Sequence, residues 1–183
     1  MTNRTDRYRV LAIDPHIRRI GFACFQGRTL VDWGMHTARH DAPQVRVKRR
    51  LIPALVGLLD RHDVSVLLIP DVLSGYVRRS VSVVEAIRAI TAEAIRREVA
   101  VHPVKDADVR MAFRDSAGNP ARNKRVIDRL LAEAYPELTT SLPAARRLWD
   151  PEPYRAPLFH AVAMYWGWKE AVQRADRRIP EVR

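Results

Sequence analysis

The sequence predicts an α/β domain with a mixed five-stranded sheet, three antiparallel strands followed by parallel ones, flanked by helices. Three observations carry this prediction. Short apolar runs separated by turn residues crowd the chain as far as Met35, the pattern of a strand meander. Beyond that point helical periodicities alternate with further strand-sized runs, which calls for crossover connections and parallel pairing. Apolar residues make up 47% of the chain against 29% charged, enough for a full hydrophobic core and too much for wholesale disorder.

Tyr8–Ile13 is a short apolar run broken by Asp14-Pro15, and reads as a buried strand ending in a turn. Ile20–Phe25 and Thr29–Met35 follow, joined by Gln26-Gly27-Arg28, a hairpin linker. Val47, Leu51, Leu55 and Leu59 then recur every fourth residue, so an amphipathic helix is expected from Ala42 to Arg61, started or kinked at Pro53. Asp63–Ile69 lacks polar alternation, as a strand covered on both faces should. Val83, Ile87, Ile90 and Ala94 mark a second helix over Ser80–Arg97, and Val99–Val104 another strand. A helix from Lys124 to Tyr135 turns Val126, Ile127, Leu130 and Leu131 inward. A last helix follows the proline-rich Leu142–Pro157, with Leu158, Val162 and Tyr165 on one stripe. Tyr165, Trp166 and Trp168 are at helical spacing and read as core or dimer seam. One domain over residues 1–183 is expected, with its core over about 8–173 and a basic tail at 174–183.

Composition excludes several classes. The mean hydropathy is −0.26 and no apolar run approaches a membrane span. The start of the chain has no apolar stretch before a cleavage site, so a cytoplasmic location is expected. Cys24 is the single cysteine, which excludes an intrachain disulfide framework and a cysteine-based zinc cluster. Dinucleotide-binding and phosphate-loop glycine motifs, a nucleophile elbow and a paired-histidine zinc motif are all absent. The net charge is +11, and only Lys48, Lys105, Lys124 and Lys169 of its 32 cations are lysines. A phosphate polymer or an anionic membrane surface is the partner such a balance attracts, with an affinity that falls as salt rises.

Val10-Leu-Ala-Ile-Asp14-Pro15 followed by Gly21-Phe22-Ala23, then Val66-Leu-Leu-Ile-Pro70-Asp71, Val104-Lys105, Gly118, Lys124, Tyr135-Pro-Glu-Leu138 and Phe159-His160-Ala161 stand in a specific order. Together they resemble the RuvC-type Holliday junction resolvases of the ribonuclease H-like superfamily, over about Val10–Trp166. The resemblance implies a three-layer ribonuclease H-like fold and a homodimer. It further implies a nucleic-acid-binding protein acting on structured or branched DNA, with phosphodiester cleavage that depends on Mg²⁺ or Mn²⁺. In such a site carboxylates hold one or two cations that generate the nucleophile and stabilise the leaving oxyanion.

By resemblance, Asp14, Asp71 and His160 are the catalytic and metal-binding candidates. Arg78, Arg79, Lys105, Arg122, Lys124 and Arg125 are the candidates for contacting nucleic acid, with Tyr76 as a wedge. The sequence also departs from the family. His16 stands where a glycine is usual, Pro70 where the glutamate of the fourth strand is usual, Pro157 at the place of a further ligand, and His160 at that of the final aspartate. Asp71 comes one residue late, which points it away from Asp14 unless a bulge re-aims it. Asp150 and Glu152 precede the last helix and read as surface charges or as carboxylates swung into the site. The alternative reading is therefore a catalytically inactive relative that binds nucleic acid or serves as a protein-interaction module.

Overall fold

In the computed structural model the described residues are 8–37, 44–72, 80–142 and 153–176, with 44–50 described by backbone alone. Strands β1 (Arg9–Pro15), β2 (Arg19–Gln26) and β3 (Thr29–Thr37) form the antiparallel meander that their apolar runs predict. Gly27 takes a φ of 57° in the tight turn between β2 and β3, a conformation that costs glycine nothing. Helix α1 (Gln44–His62) leads to β4 (Val66–Pro70), and α2 (Val81–Arg96) to β5 (Ala100–Val104). Both β4 and β5 run parallel to β1, giving the order β3-β2-β1-β4-β5. Helices α3 (Asp106–Ala112), α4 (Lys124–Ala134) and α5 (Ala156–Asp176) complete the chain, with a 3₁₀ turn at Pro136–Ser141.

Side-chain alternation along the strands divides the core in two. Leu11, Ile13, Cys24, Leu67 and Ile69 pack beneath α1 and α2. Val10, Ala12, Phe25, Val66 and Leu68 face the other way, onto α3, α4 and α5. The result is a three-layer sandwich with the sheet in the middle. Helix α5 is buried on most of its circumference because the sheet lies on one side and α3 and α4 on others. This explains why Tyr165 and Trp168 are core residues: Tyr165 stacks on Phe25 with ring centroids 3.8 Å apart.

The structure corrects five local expectations. In α4 Ile127 and Leu131 turn inward, whereas Val126 and Leu130 are exposed. Asp14 and Pro15 lie inside β1, paired with Gly21 and Ile20, and the turn comes after them. Helix α1 runs through Pro53 from Gln44 to His62. The fourth strand starts only at Val66, because Asp63 takes a φ of 47° in the turn that ends α1. Helix α3 went unpredicted, since seven residues are too few to show a period.

Candidate functional site

The β1–β4 seam stops short at the end where β1 carries Asp14. Its register runs Val10↔Val66, Leu11↔Leu67, Ala12↔Leu68 and goes no further. Carried on, a parallel ladder would pair Ile13 with Ile69 and Asp14 with Pro70. It would need the N–H of residue 70 to donate to Ile13 and the N–H of residue 15 to donate to residue 70. Both positions are proline and have no N–H. On its other side β4 stays zipped past its end, where the Asp71 amide donates to the Val104 carbonyl at 2.9 Å. Two prolines thus part β1 from β4 at the C-terminal edge of the parallel strands. In open α/β sheets, that edge is where ligands bind.

Asp14 shares its sheet face with Val10 and Ala12, so it points toward α5, and it is 2% exposed. Two imidazoles meet its carboxylate. His160 Nδ1, in the second turn of α5, lies 2.9 Å from Oδ2, and His16 Nε2 lies 3.2 Å from the same oxygen. A carboxylate oxygen only accepts, so each ring donates an N–H there. His16 is folded back over Asp14 by a tight turn in which its amide donates to the Arg19 carbonyl at 2.8 Å.

Gly21 brings His160 within reach. A Cβ there would stand 2.1 Å from the Pro157 carbonyl carbon and 2.3 Å from the Leu158 nitrogen. Only a residue without a side chain lets the first turn of α5 rest on β2, directly across from Asp14. The sequence showed this glycine as part of a motif; the packing supplies its reason.

Beside His160 an open cleft lies between α3, α4 and α5. Arg110, Arg122, Lys124 and Asp128 line it, with Phe159 among its apolar walls. Asn123 caps α4 by accepting from the Arg125 amide at 2.9 Å, which sets Lys124 at the helix start and Asp128 one turn further along the same face. Arg110 is steadied by Asp106, at 2.6 Å from its Nε. Asp128 is half-buried, and desolvation pushes its carboxyl up to about 6 against the opposing pull of Lys124, His160 and Arg125. Sequence reasoning missed Asp128, which sits between Ile127 and Leu131 as an ordinary polar-face residue. The available signal was its four-residue spacing from Lys124.

The other sequence candidates fall as follows. Asp71 is one residue out of phase with Pro70, the residue level with Asp14, and by alternation belongs with Ile69 on the α1/α2 face. Lys105 is exposed at the C-terminal end of β5, at the start of α3. Arg122 and Lys124 are exposed on the rim of the cleft, and Arg125 is half-exposed. Arg78, Arg79, Tyr76, Asp150 and Glu152 lie outside the described residues.

A pair of hard divalent cations asks for several carboxylate oxygens converging on one point. Here Oδ2 of Asp14 already accepts from two imidazoles, while Pro70 and Pro157 have no donor atom in their side chains. Among the described residues no group of three His, Cys, Asp or Glu side chains is arranged to hold a metal ion. These residues do not fit the metal pair that the family resemblance implies.

No protein-family model and no curated protein matches this sequence. Solved structures do. RuvC from Thermus thermophilus superposes with a TM-score of 0.66 at 18% identity, over 91% of this chain and 96% of that one. The T. thermophilus RuvC complex with a Holliday junction substrate gives 0.66 at 16% identity, over 92% and 96%. The yeast mitochondrial Holliday junction resolvase gives 0.52 at 10%, over 93% and 82%. The mixed sheet and its flanking helices are thus the ribonuclease H-like fold of RuvC, across nearly the whole chain. Among the described residues no helix is long and apolar enough to cross a membrane.

Proposed function

We propose that this chain is a nucleic-acid-binding protein that recognises branched or otherwise structured DNA, without metal-dependent cleavage. The observation that carries the reading is the cleft beside Asp14 and His160, at the C-terminal edge of the parallel strands, with Arg110, Arg122 and Lys124 on its walls. Guanidinium groups suit bidentate phosphate contacts and an ammonium adds a point charge. The net charge of +11 supplies long-range attraction to a polyanion. Lys105, beyond β5, extends the basic edge, and Arg125 adds a cation at the start of α4. The homodimer implied by the family resemblance belongs to the same proposal, since two such faces engage two arms of one junction.

Within this reading Lys124 and Arg122 hold phosphates, and Asp128 sets the local charge of the cleft. Asp14, His16 and His160 keep α5 and the β1–β2 turn in register beneath the bound strand. Pro70, Pro157 and His160, at places where the family resemblance implies metal ligands, support the inactive alternative over a working nuclease.

A gel-shift series on a four-way junction and its matching duplex tests the proposal. Tight binding with preference for the junction is expected. The affinity should fall log-linearly with salt, and Arg122→Ala with Lys124→Ala should flatten that slope by about two. No binding at moderate salt would overturn the reading and leave a protein-interaction module as the alternative. Junction cutting in Mg²⁺ or Mn²⁺, lost in Asp14→Asn, would overturn its second half. A monomer by light scattering would remove the dimer.

A further inference from the structure

We propose that His160 and His16 take the place of a divalent cation at Asp14, so that the joint between β1 and α5 is closed by the protein's own N–H groups and needs no metal. Nearly inaccessible Asp14 would be costly to bury without compensation. In a site built on metal, a cation compensates such a carboxylate and ties the strand to the helix. Here the tie is direct, through His160 Nδ1 at 2.9 Å and His16 Nε2 at 3.2 Å, both on Oδ2.

Three backbone features lead to the same arrangement. Pro15 and Pro70 end the β1–β4 ladder before Asp14, and Pro70, the β4 residue level with Asp14, carries no carboxylate. Gly21 lets the Pro157–Leu158 backbone settle onto β2, which lowers the His160 ring to its contact with Asp14. The β1–β2 turn then brings His16 over the same oxygen. A cation at Oδ2 would have to displace both N–H donors and leave two imidazoles to find other partners. The inference concerns the Asp14 joint alone and stands whether or not the cleft binds DNA.

The experiment uses the full chain with Mn²⁺ alone and Mg²⁺ alone as probes. Wild-type protein is expected to melt at the same temperature in EDTA, Mg²⁺ and Mn²⁺, and to give no Mn²⁺ binding heat by titration calorimetry. His160→Asp replaces a donor by a second carboxylate, so its melting temperature should fall in EDTA and recover on adding Mn²⁺. Stabilisation of the wild type by Mn²⁺ or Mg²⁺ that disappears in Asp14→Asn would overturn the proposal. A His160→Asp protein that melts low and ignores Mn²⁺ would also count against it. Should that variant fail to fold, calorimetry of wild type against Asp14→Asn decides alone. The gel-shift series reads DNA binding separately, so failure of one proposal is not mistaken for failure of the other.

Discussion

Two Asp–His pairs brace the sheet at different places, and their chemistry is nearly the same. Asp14 and His160 meet at 2.9 Å on the α5 side, with the carboxylate side chain 3% exposed. Asp32 of β3 and His62 at the end of α1 meet at 2.7 Å, but there the carboxylate side chain is 29% exposed and Arg61 lies within 3.8 Å. The shorter contact thus has the carboxylate more open to water. Burial and placement, rather than distance, separate a structural tie at the rim from a pair at the mouth of a basic cleft.

The comparison can be broken most severely at Gly21. Gly21→Ala pushes a methyl into the Pro157 carbonyl and lifts α5 away from Asp14. We expect a loss of about 3 kcal/mol by urea unfolding, at the upper end for overpacking because the clash is with backbone. The pairs themselves come next. Asp14→Ala strands two half-buried ring donors and should cost about 1–2 kcal/mol, whereas Asp32→Ala should cost less than about 1 kcal/mol. Equal losses by denaturant titration would show that burial does not distinguish the pairs.

Asp128→Asn sharpens the picture with the opposite sign. The carboxyl is raised from 3.8 to about 6, so between those values the folded protein holds a proton that the unfolded chain has lost. Wild-type stability therefore falls as pH rises from about 4 to 6, and the whole penalty is present above it. The variant should be more stable than wild type by about 1–2 kcal/mol at pH 7, allowing for partial solvation, with the gain gone near pH 4. Urea melts across that range check it. The same variant removes a negative charge from the cleft and should tighten junction binding by a few-fold.

Most of the strand order was legible because burial on both faces writes itself as apolar runs, as in Val66-Leu-Leu-Ile, and because turn residues separate the first three strands. Asp14 and His160 stood out through family resemblance, which places residues without saying what they touch. Their mutual contact depends on a glycine across the hairpin and on the depth at which α5 sits, neither of which is encoded near them in the chain. Asp128 stayed hidden because a half-buried carboxylate and a solvated one look alike on a helix wheel. The one-residue offset of Asp71 could be read from alternation alone. The gap left beside Asp14 could not, since it needs the pairing of two distant prolines.

Those prolines tie two properties together at position 70. A glutamate there would set a carboxylate level with Asp14, and in the same step an amide able to donate to Ile13. Charge and strand pairing cannot be restored one without the other by that change. Pro15 would still block the second bond, so the seam would close by half. Position 70 thus couples the two: the edge of the sheet closes fully only when both strands change, and a change at either one alone leaves a half-mended ladder.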